Sequence, residues 1–488
     1  MTTGAATLRI PAIAARIARL ASIVCTLAIA GCASIPPIDR AMLREEREPV
    51  RVENARVALS HAQSQRILED LKKRAPDSDL LQRHLAVEEA LTDTPLSVGN
   101  RVATLEDGQA TYTAMLAAIR AARNHVHMEM YIFEGDDVGK LFAAALTERA
   151  KAGVKVRLIY DAVGSIKTPK EFFKDLEAGG VQVVVFNPVT AKNTLDLVGI
   201  QNRDHRKLLL VDGRVAFLGG INISGVYSGV SQPGGRGPFV AGSSRGRAEG
   251  GEDPPFEERP WRDLQVRIEG PAVADLQRAF VKQWERWKKE PLPEPGLYPP
   301  LKADGPHVVR AIAGSPADQE ANAAYVTLIS AIEASESEVL IVNPYFVPHP
   351  TLLAALKSAA TRGVNVKLIL PSKTDSTLVY HAGRSYYAEL LEAGVKIYER
   401  QSRMLHSKSA VVDRVWTTVG STNLDWRSLV YNDELNAVIL GGDFAAQVIA
   451  VFTRDLANSE QITLADWRAR PFADRVKETA ARTWALWL

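Results

Sequence analysis

Cysteine is nearly absent from this chain. There are two, Cys25 and Cys32, and none beyond position 32, so neither a disulfide framework nor a cysteine-based metal site can be built in the body. Long hydrophobic runs are also missing: the apolar stretch Leu20 to Ala30 (LASIVCTLAIA) falls well short of the about 20 residues that span a bilayer. An excess of one charge is missing too. The formal net charge is +2; the leader's Arg9, Arg16 and Arg19 have no acid beside them, and the remainder carries 2 − 3 = −1. Such a body has no global basic field and excludes a protein that collects nucleic acid by charge. With 33 Gly and 26 Pro the chain is not fibrous, and at 46% hydrophobic and 24% charged it is not wholly disordered. Its 488 residues exceed one ordinary core of about 100–150 residues, so two domains or a duplicated one is expected.

What is present begins with a leader. A basic n-region, the short apolar run and the small residues before Cys32 in Ile29-Ala30-Gly31-Cys32 make residues 1–31 a secretory signal. Small residues ahead of a Cys resemble a bacterial lipobox, which makes Cys32 the lipidation candidate. The residue after it is Ala33 rather than Asp, which for that class implies an outer-membrane lipoprotein facing the periplasm of a Gram-negative cell. Residues 32–98 then read as a helical neck, with helical spacing in 52–74 and 78–91 broken at Ala75-Pro76.

From about residue 99 the chain repeats itself. In the first half a helix near 110–123 precedes the strand-like run from Val126 to Phe133 and a helix near 138–151. Ala152-Gly153-Val154 then opens a strand, and a helix near 169–177 leads to Ala178-Gly179-Gly180-Val181. The second half repeats this with helices near 320–333, 350–361 and 383–392, and strands at 339–343, 364–369 and 395–397. Apolar runs alternating with helices predict an α/β fold of two tandem α/β/α layered units: 99–290 and 306–488, joined by the Pro-rich linker 291–305.

Each half then delivers the same polar set. His205, Lys207, Asp212, Gly219-Gly220 and Asn222 recur as His406, Lys408, Asp413, Gly420-Ser421 and Asn423, at identical offsets. On a strand, His and Lys two apart project from one face, so an imidazole and an ammonium meet one ligand, and an amide one strand-and-turn on can join them. A single H-x-K-x-x-x-x-D arises by chance only ~0.03 times in a chain of this length; two with matched followers are a signal.

These paired motifs resemble the phospholipase D superfamily, most closely bacterial cardiolipin synthases. Asn343-Pro344-Tyr345-Phe346-Val347-Pro348, Gly420 to Ser428, Asn432-Asp433-Glu434-Leu435-Asn436 and Pro260-Trp261-Arg262-Asp263 support the likeness, which spans about residues 98–488. It implies two phospholipase D-like domains in a pseudo-two-fold pair with one shared active site. It also implies a phosphatidyltransferase that moves a phosphatidyl group between phospholipids through a phosphohistidine. The alternative is a hydrolytic phospholipase D, and a nuclease stands behind both. In this chemistry Lys207, Lys408, Asn222 and Asn423 stabilise the charge on phosphorus oxygens. The resemblance makes His205 the nucleophile and His406 the acid/base, although the residues alone allow the roles to exchange. An imidazole so used needs a carboxylate on its far nitrogen; the family pattern offers Glu434 in the second half and Asp263 in the first. Asp212 and Asp413 are expected to brace local backbone. No cofactor or metal is implied. The expected partners are phospholipids such as phosphatidylglycerol at a membrane, with no nucleic acid and no protein partner implied.

Three segments stay outside the motifs. Residues 228–258, rich in Gly, Pro and Ser, read as a loop inserted between the first motif and Asp263. Residues 272–289 read as an amphipathic helix whose Phe280, Trp284 and Trp287 are expected to pack in the core, with membrane contact as the alternative. The end, Arg482 to Leu488, is short and tryptophan-rich, suited to a bilayer interface or to docking on the body.

Overall fold

Strands of Leu, Val and Ile flanked by helices on both faces must be apolar on both sides, which is why runs such as Leu208-Leu209-Leu210-Val211 carry no polar alternation. In the computed structural model, which describes residues 50–73, 80–92, 94–190, 199–228, 255–256, 259–292, 295–316 and 322–484, that run is a fully buried strand, Lys207–Val211. The leader 1–31, Cys32 and nearly all of the 228–258 insertion lie outside the described residues.

Both halves have one strand order. Across the first sheet run Gln182–Phe186, Lys155–Asp161, His125–Met130, Lys207–Val211, Val215–Gly219, Leu264–Glu269 and Leu96–Glu106, parallel among the first three and antiparallel thereafter. The second sheet repeats this as Lys396–Arg400, Asn365–Pro371, Glu338–Val342, Ser409–Val412, Trp416–Gly420, Asn432–Leu440 and His307–Gly314. Helices Asp137–Lys151 and Pro350–Thr361 stop where Gly153 and Gly363 take φ +89° and +95°, a left-handed stop that costs glycine nothing. Strand Leu96–Glu106 is the seam: residues 101–106 pair with Leu264–Glu269, while Ser97 and Asn100 pair with Val309 and His307 of the other half.

Helices Val273–Lys288 and Gly442–Leu456 lie in a single apolar core drawn from both halves, in which Leu208 and Leu210 join Val309, Ile369 and Ile439. Phe280 and Trp284 are buried there, each contributing about 1.5–3 kcal/mol, and Trp287 packs against its edge. A shared core of this kind fixes the halves to one another and, through them, the strand ends that carry the polar set.

The segment read as a helical neck includes two helices, His61–Lys73 and Leu80–Leu91. Helix Leu80–Leu91 docks on the second half, where Trp416 Nε1 donates to Glu88 (3.0 Å) and buried Arg310 pairs with Glu88 (3.4 Å) and Glu89. His84 Nδ1 lies 2.9 Å from Ser330 Oγ, and Val52–Asn54 extends the sheet beside Leu96–Val98. The boundary placed at 98 therefore falls inside a strand. Helical spacing showed an amphipathic segment, but its partner, Arg310, is more than two hundred residues away in sequence.

Candidate active site

The polar set sits where both sheets end. His205 follows the short strand Arg203–Asp204, which pairs with Asn432–Asp433 of the other half; its N–H donates to the Asp433 carbonyl at 2.9 Å. On the matching side Arg262 bridges Leu405, and the His406 N–H donates to the Arg262 carbonyl at 2.8 Å. These two small ladders cross between halves and set each histidine one residue from the other half's carboxylate.

The carboxylates accordingly pair across the halves, not within them as their sequence positions suggested. Both Glu434 oxygens lie 3.1 Å from His205 Nδ1, and Asp263 Oδ2 lies 2.7 Å from His406 Nδ1. An ionised carboxylate only accepts, so Nδ1 of each ring carries the proton and Nε2 keeps its lone pair. Neither Nε2 has a hydrogen-bond partner among the described residues, and both rings line one cleft of about 480 Å³.

A detail of the repeat explains why the two carboxylates differ. Gly220 and Ser421 are equivalent, and a Cβ at Gly220 would lie 2.2 Å from Asp263 Oδ1; the short Asp lies directly over the glycine. The longer Glu434 reaches past Ser421, whose hydroxyl donates to it at 2.5 Å.

Lys207 Nζ donates to the His205 carbonyl at 2.5 Å, and Lys408 Nζ donates to the His406 carbonyl while lying 3.0 Å from His406 Nδ1. All four side chains are buried. Burial pushes Lys207 down to about 7, with the Lys408 charge adding to it, and pushes Lys408 down to about 8. Both imidazoles fall to about 4, through burial first and then the neighbouring ammonium groups, against the pull of their carboxylates. Burial alone would raise Glu434, but His205, Lys207 and the Ser421 hydroxyl hold it at about 2. Asp263 is lowered in the same way: His406 and Lys408 outweigh burial. At neutral pH the site thus pairs two ionised carboxylates with two buried lysines held close to their titration points, and leaves both imidazoles neutral.

Asn222 and Asn423 also line it. Asn222 accepts from the Ile132 N–H (3.1 Å) and donates to the Tyr227 hydroxyl (3.0 Å), while the buried Asn423 Oδ1 has no hydrogen-bond partner among the described residues. Asp212 and Asp413 lie apart from this group. Asp212, at φ 54°, accepts from the N–H groups of Arg123, Asn124 and His125; Asp413, at φ 48°, accepts from those of Glu336, Ser337 and Glu338. Each ties its hairpin to the start of the neighbouring strand.

Several residues of the site carry no motif. The Tyr227 hydroxyl lies 3.1 Å from His406 Nδ1. Tyr131 packs edge-on against His205 at 4.9 Å, with Lys207 Nζ 5.0 Å from its ring, and Trp261 and Tyr345 flank His406 at 5.3 and 6.2 Å. Trp261 and Tyr345 stood in stretches already singled out; for Tyr131 and Tyr227 only proximity to the motifs was available. Chemically, such a pocket can hold one phosphate between two ammonium groups and offer it an imidazole lone pair from either half.

Comparison with known proteins agrees with this geometry. The family model "Cardiolipin synthase, PLD-like domain" matches residues 115–227 and 328–456. A cardiolipin synthase of Geobacillus kaustophilus is 35% identical over 390 residues, covering 80% of this chain and 72% of that one. Cardiolipin synthase A of Pseudomonas aeruginosa is 36% identical over 379 residues, covering 78% and 71%. Among solved structures, the phosphatidylserine synthase of Haemophilus influenzae covers 82% of this chain and 99% of its own with a TM-score of 0.61 at 14% identity, a likeness of fold.

Proposed function

The chain belongs to the family of phospholipase D-like cardiolipin synthases, and we infer from this that it is an enzyme, a phosphatidyltransferase of the cardiolipin synthase type. The observation that carries the assignment is the pair of carboxylate-held imidazoles, one from each half, lining a single cleft, with a buried lysine two residues beyond each.

The chemistry follows from the charges. A phosphodiester enters, and its oxygens take the Lys207 and Lys408 ammonium groups and the Asn222 and Asn423 amides. Its charge draws protons onto groups that the empty cleft holds neutral. The Nε2 lone pair of His205 attacks phosphorus; the P–O bond to the headgroup breaks, and protonated His406 gives that oxygen its proton. With phosphatidylglycerol as donor, glycerol leaves and a phosphatidyl-histidine remains. A hydroxyl of a second phosphatidylglycerol then loses its proton to His406 and attacks phosphorus. The P–N bond breaks, giving cardiolipin and a free His205. Glu434 and Asp263 steady the imidazolium that forms at each stage. Lipidic substrates support work at a membrane surface.

Localisation rests on the leader. Its arginines, short apolar run and Ile29-Ala30-Gly31-Cys32 support cleavage before Cys32, acylation there, and an outer-membrane position facing the periplasm; among the described residues no helix is long and apolar enough to cross a membrane. Intact mass of the protein purified from membranes tests this: Cys32 as an acylated first residue is expected, and a retained leader contradicts it.

For the reaction, purified protein is incubated with glycerol-labelled phosphatidylglycerol vesicles. Cardiolipin and free glycerol in equal amounts are expected. Phosphatidic acid as the only lipid product would make the enzyme a hydrolase.

A further inference from the structure

The proposed transfer joins two phosphodiesters, yet the paired motifs provide for one. The acceptor brings its own phosphate, a glycerol's length from the attacking oxygen, into a cleft already holding the donor's. A second cationic position is therefore required by charge alone, and the same cleft contains two cations outside the motifs, Lys167 and Arg427.

Their surroundings differ from those of the other charged groups there. The cleft's acids are engaged: Glu134 accepts from the Ser224 hydroxyl, Asp375 from the Tyr345 hydroxyl at 2.6 Å, and Asp425 from the Ser428 N–H at 2.8 Å. The hydrogen bonds that hold the half-buried Arg427 go to neutral groups of the opposite half, and the carboxyl its charge faces, Asp425, is pushed up to about 7 by burial. Nη1 donates to Gln201 Oε1 (3.0 Å) and Nη2 to the Gln201 carbonyl (3.4 Å). This fixes the guanidinium without cancelling its charge and leaves Nε–H for an anion. Lys167 stands exposed at the mouth beside Ile166, and neither cation forms an ion pair among the described residues. A guanidinium held in place suits a phosphate as a planar donor, and a lysine at the mouth suits its approach.

We propose that Arg427, assisted by Lys167, forms a second anion subsite that receives the phosphodiester of the acceptor lipid and so selects an anionic lipid over a neutral alcohol. The proposal rests on the phosphatidyltransfer reading and specifies its acceptor. Water and simple alcohols attack the same phosphatidyl-histidine but have no charge for this subsite.

A competition experiment isolates it. Full-length protein in phosphatidylglycerol vesicles is given ethanol, and the ratio of cardiolipin to phosphatidylethanol is measured. Both products drain one intermediate, so the ratio reports acceptor choice and is insensitive to how much enzyme is active. Arg427→Gln is expected to lower the ratio about ten-fold, the loss typical of a charged hydrogen bond. Arg427→Lys should recover part of it, and Lys167→Met should lower it less. An unchanged ratio in Arg427→Gln, or loss of both products in both Arg427 variants, overturns the subsite. If the wild type makes neither product, it is the transfer reading that fails.

Discussion

Glu434 of the second half hydrogen-bonds His205 of the first, with both oxygens 3.1 Å from Nδ1, and Asp263 of the first half returns the arrangement at His406, 2.7 Å away. Each half therefore carries an imidazole it cannot orient and a carboxylate it cannot use. Glu434→Gln and Asp263→Asn should each cut turnover by about 10³-fold, because the amide no longer fixes the Nδ1–H tautomer. Since Glu434 acts through His205, adding Glu434→Gln to His205→Ala should cost nothing further, which steady-state rates of the single and double variants will test. Multiplicative losses would mean the pairing is incidental.

The empty cleft should bind phosphate more weakly as pH rises. Lys207 at about 7 and Lys408 at about 8 lie below the ordinary lysine value because of burial, with the Lys408 charge lowering Lys207 further. A bound anion raises both, so binding takes up protons above about pH 7. Calorimetric titration with inorganic phosphate between pH 6 and 9, in buffers of different ionisation enthalpy, should show falling affinity and proton uptake. A flat affinity with no uptake would show that the lysines keep their protons in the empty site.

Acid should destabilise the fold in a defined window. His205 and His406, at about 4 in the folded chain, refuse protons that the unfolded chain accepts from about pH 6.5 down. Stability then falls across that interval by on the order of 1.4 kcal/mol per pH unit for each imidazole. Glu434, at about 2, contributes stability that is full above its unfolded value and is lost as pH falls toward 2. Denaturant unfolding at pH 7 and pH 5 should show the loss in the wild type and a smaller one in His205→Asn/His406→Asn; equal losses contradict the assignment.

Asp212 and Asp413 should behave as structural residues. Asp212→Ala removes an acceptor shared by three backbone N–H groups, those of Arg123, Asn124 and His125. It should cost on the order of 2 kcal/mol of stability while turnover at low temperature stays within about three-fold, because the residue lies apart from the cleft. A loss of turnover without a loss of stability would return Asp212 to the chemistry.

Much of this arrangement is legible in the sequence because the chain says it twice. Matched offsets from His205 to Asn222 and from His406 to Asn423 locate the site, and buried strands announce themselves as unbroken apolar runs. The crossing of Glu434 and Asp263 is not legible, since it depends on the short ladders at Asp433–His205 and Arg262–His406 that join residues more than a hundred positions apart. One trace was visible in hindsight: Ser421 replaces Gly220 where Glu434 replaces Asp263, a paired change in volume. Tyr131 and Tyr227 could not be singled out, because an aromatic next to a motif is more often core than site. The docking of Leu80–Leu91 escaped for the same reason as the crossing, its partner Arg310 being remote in sequence.

Direct identification of the covalent intermediate tests the central claim. Phosphatidylglycerol labelled at phosphorus is added to the wild-type enzyme, turnover is quenched in base within its first cycles, and peptides from the base-stable fraction are analysed by mass spectrometry. Label on His205 alone is expected, with none in His205→Ala. Label on neither histidine, or sustained cardiolipin synthesis by His205→Ala, would contradict a single phosphate shared between the two halves.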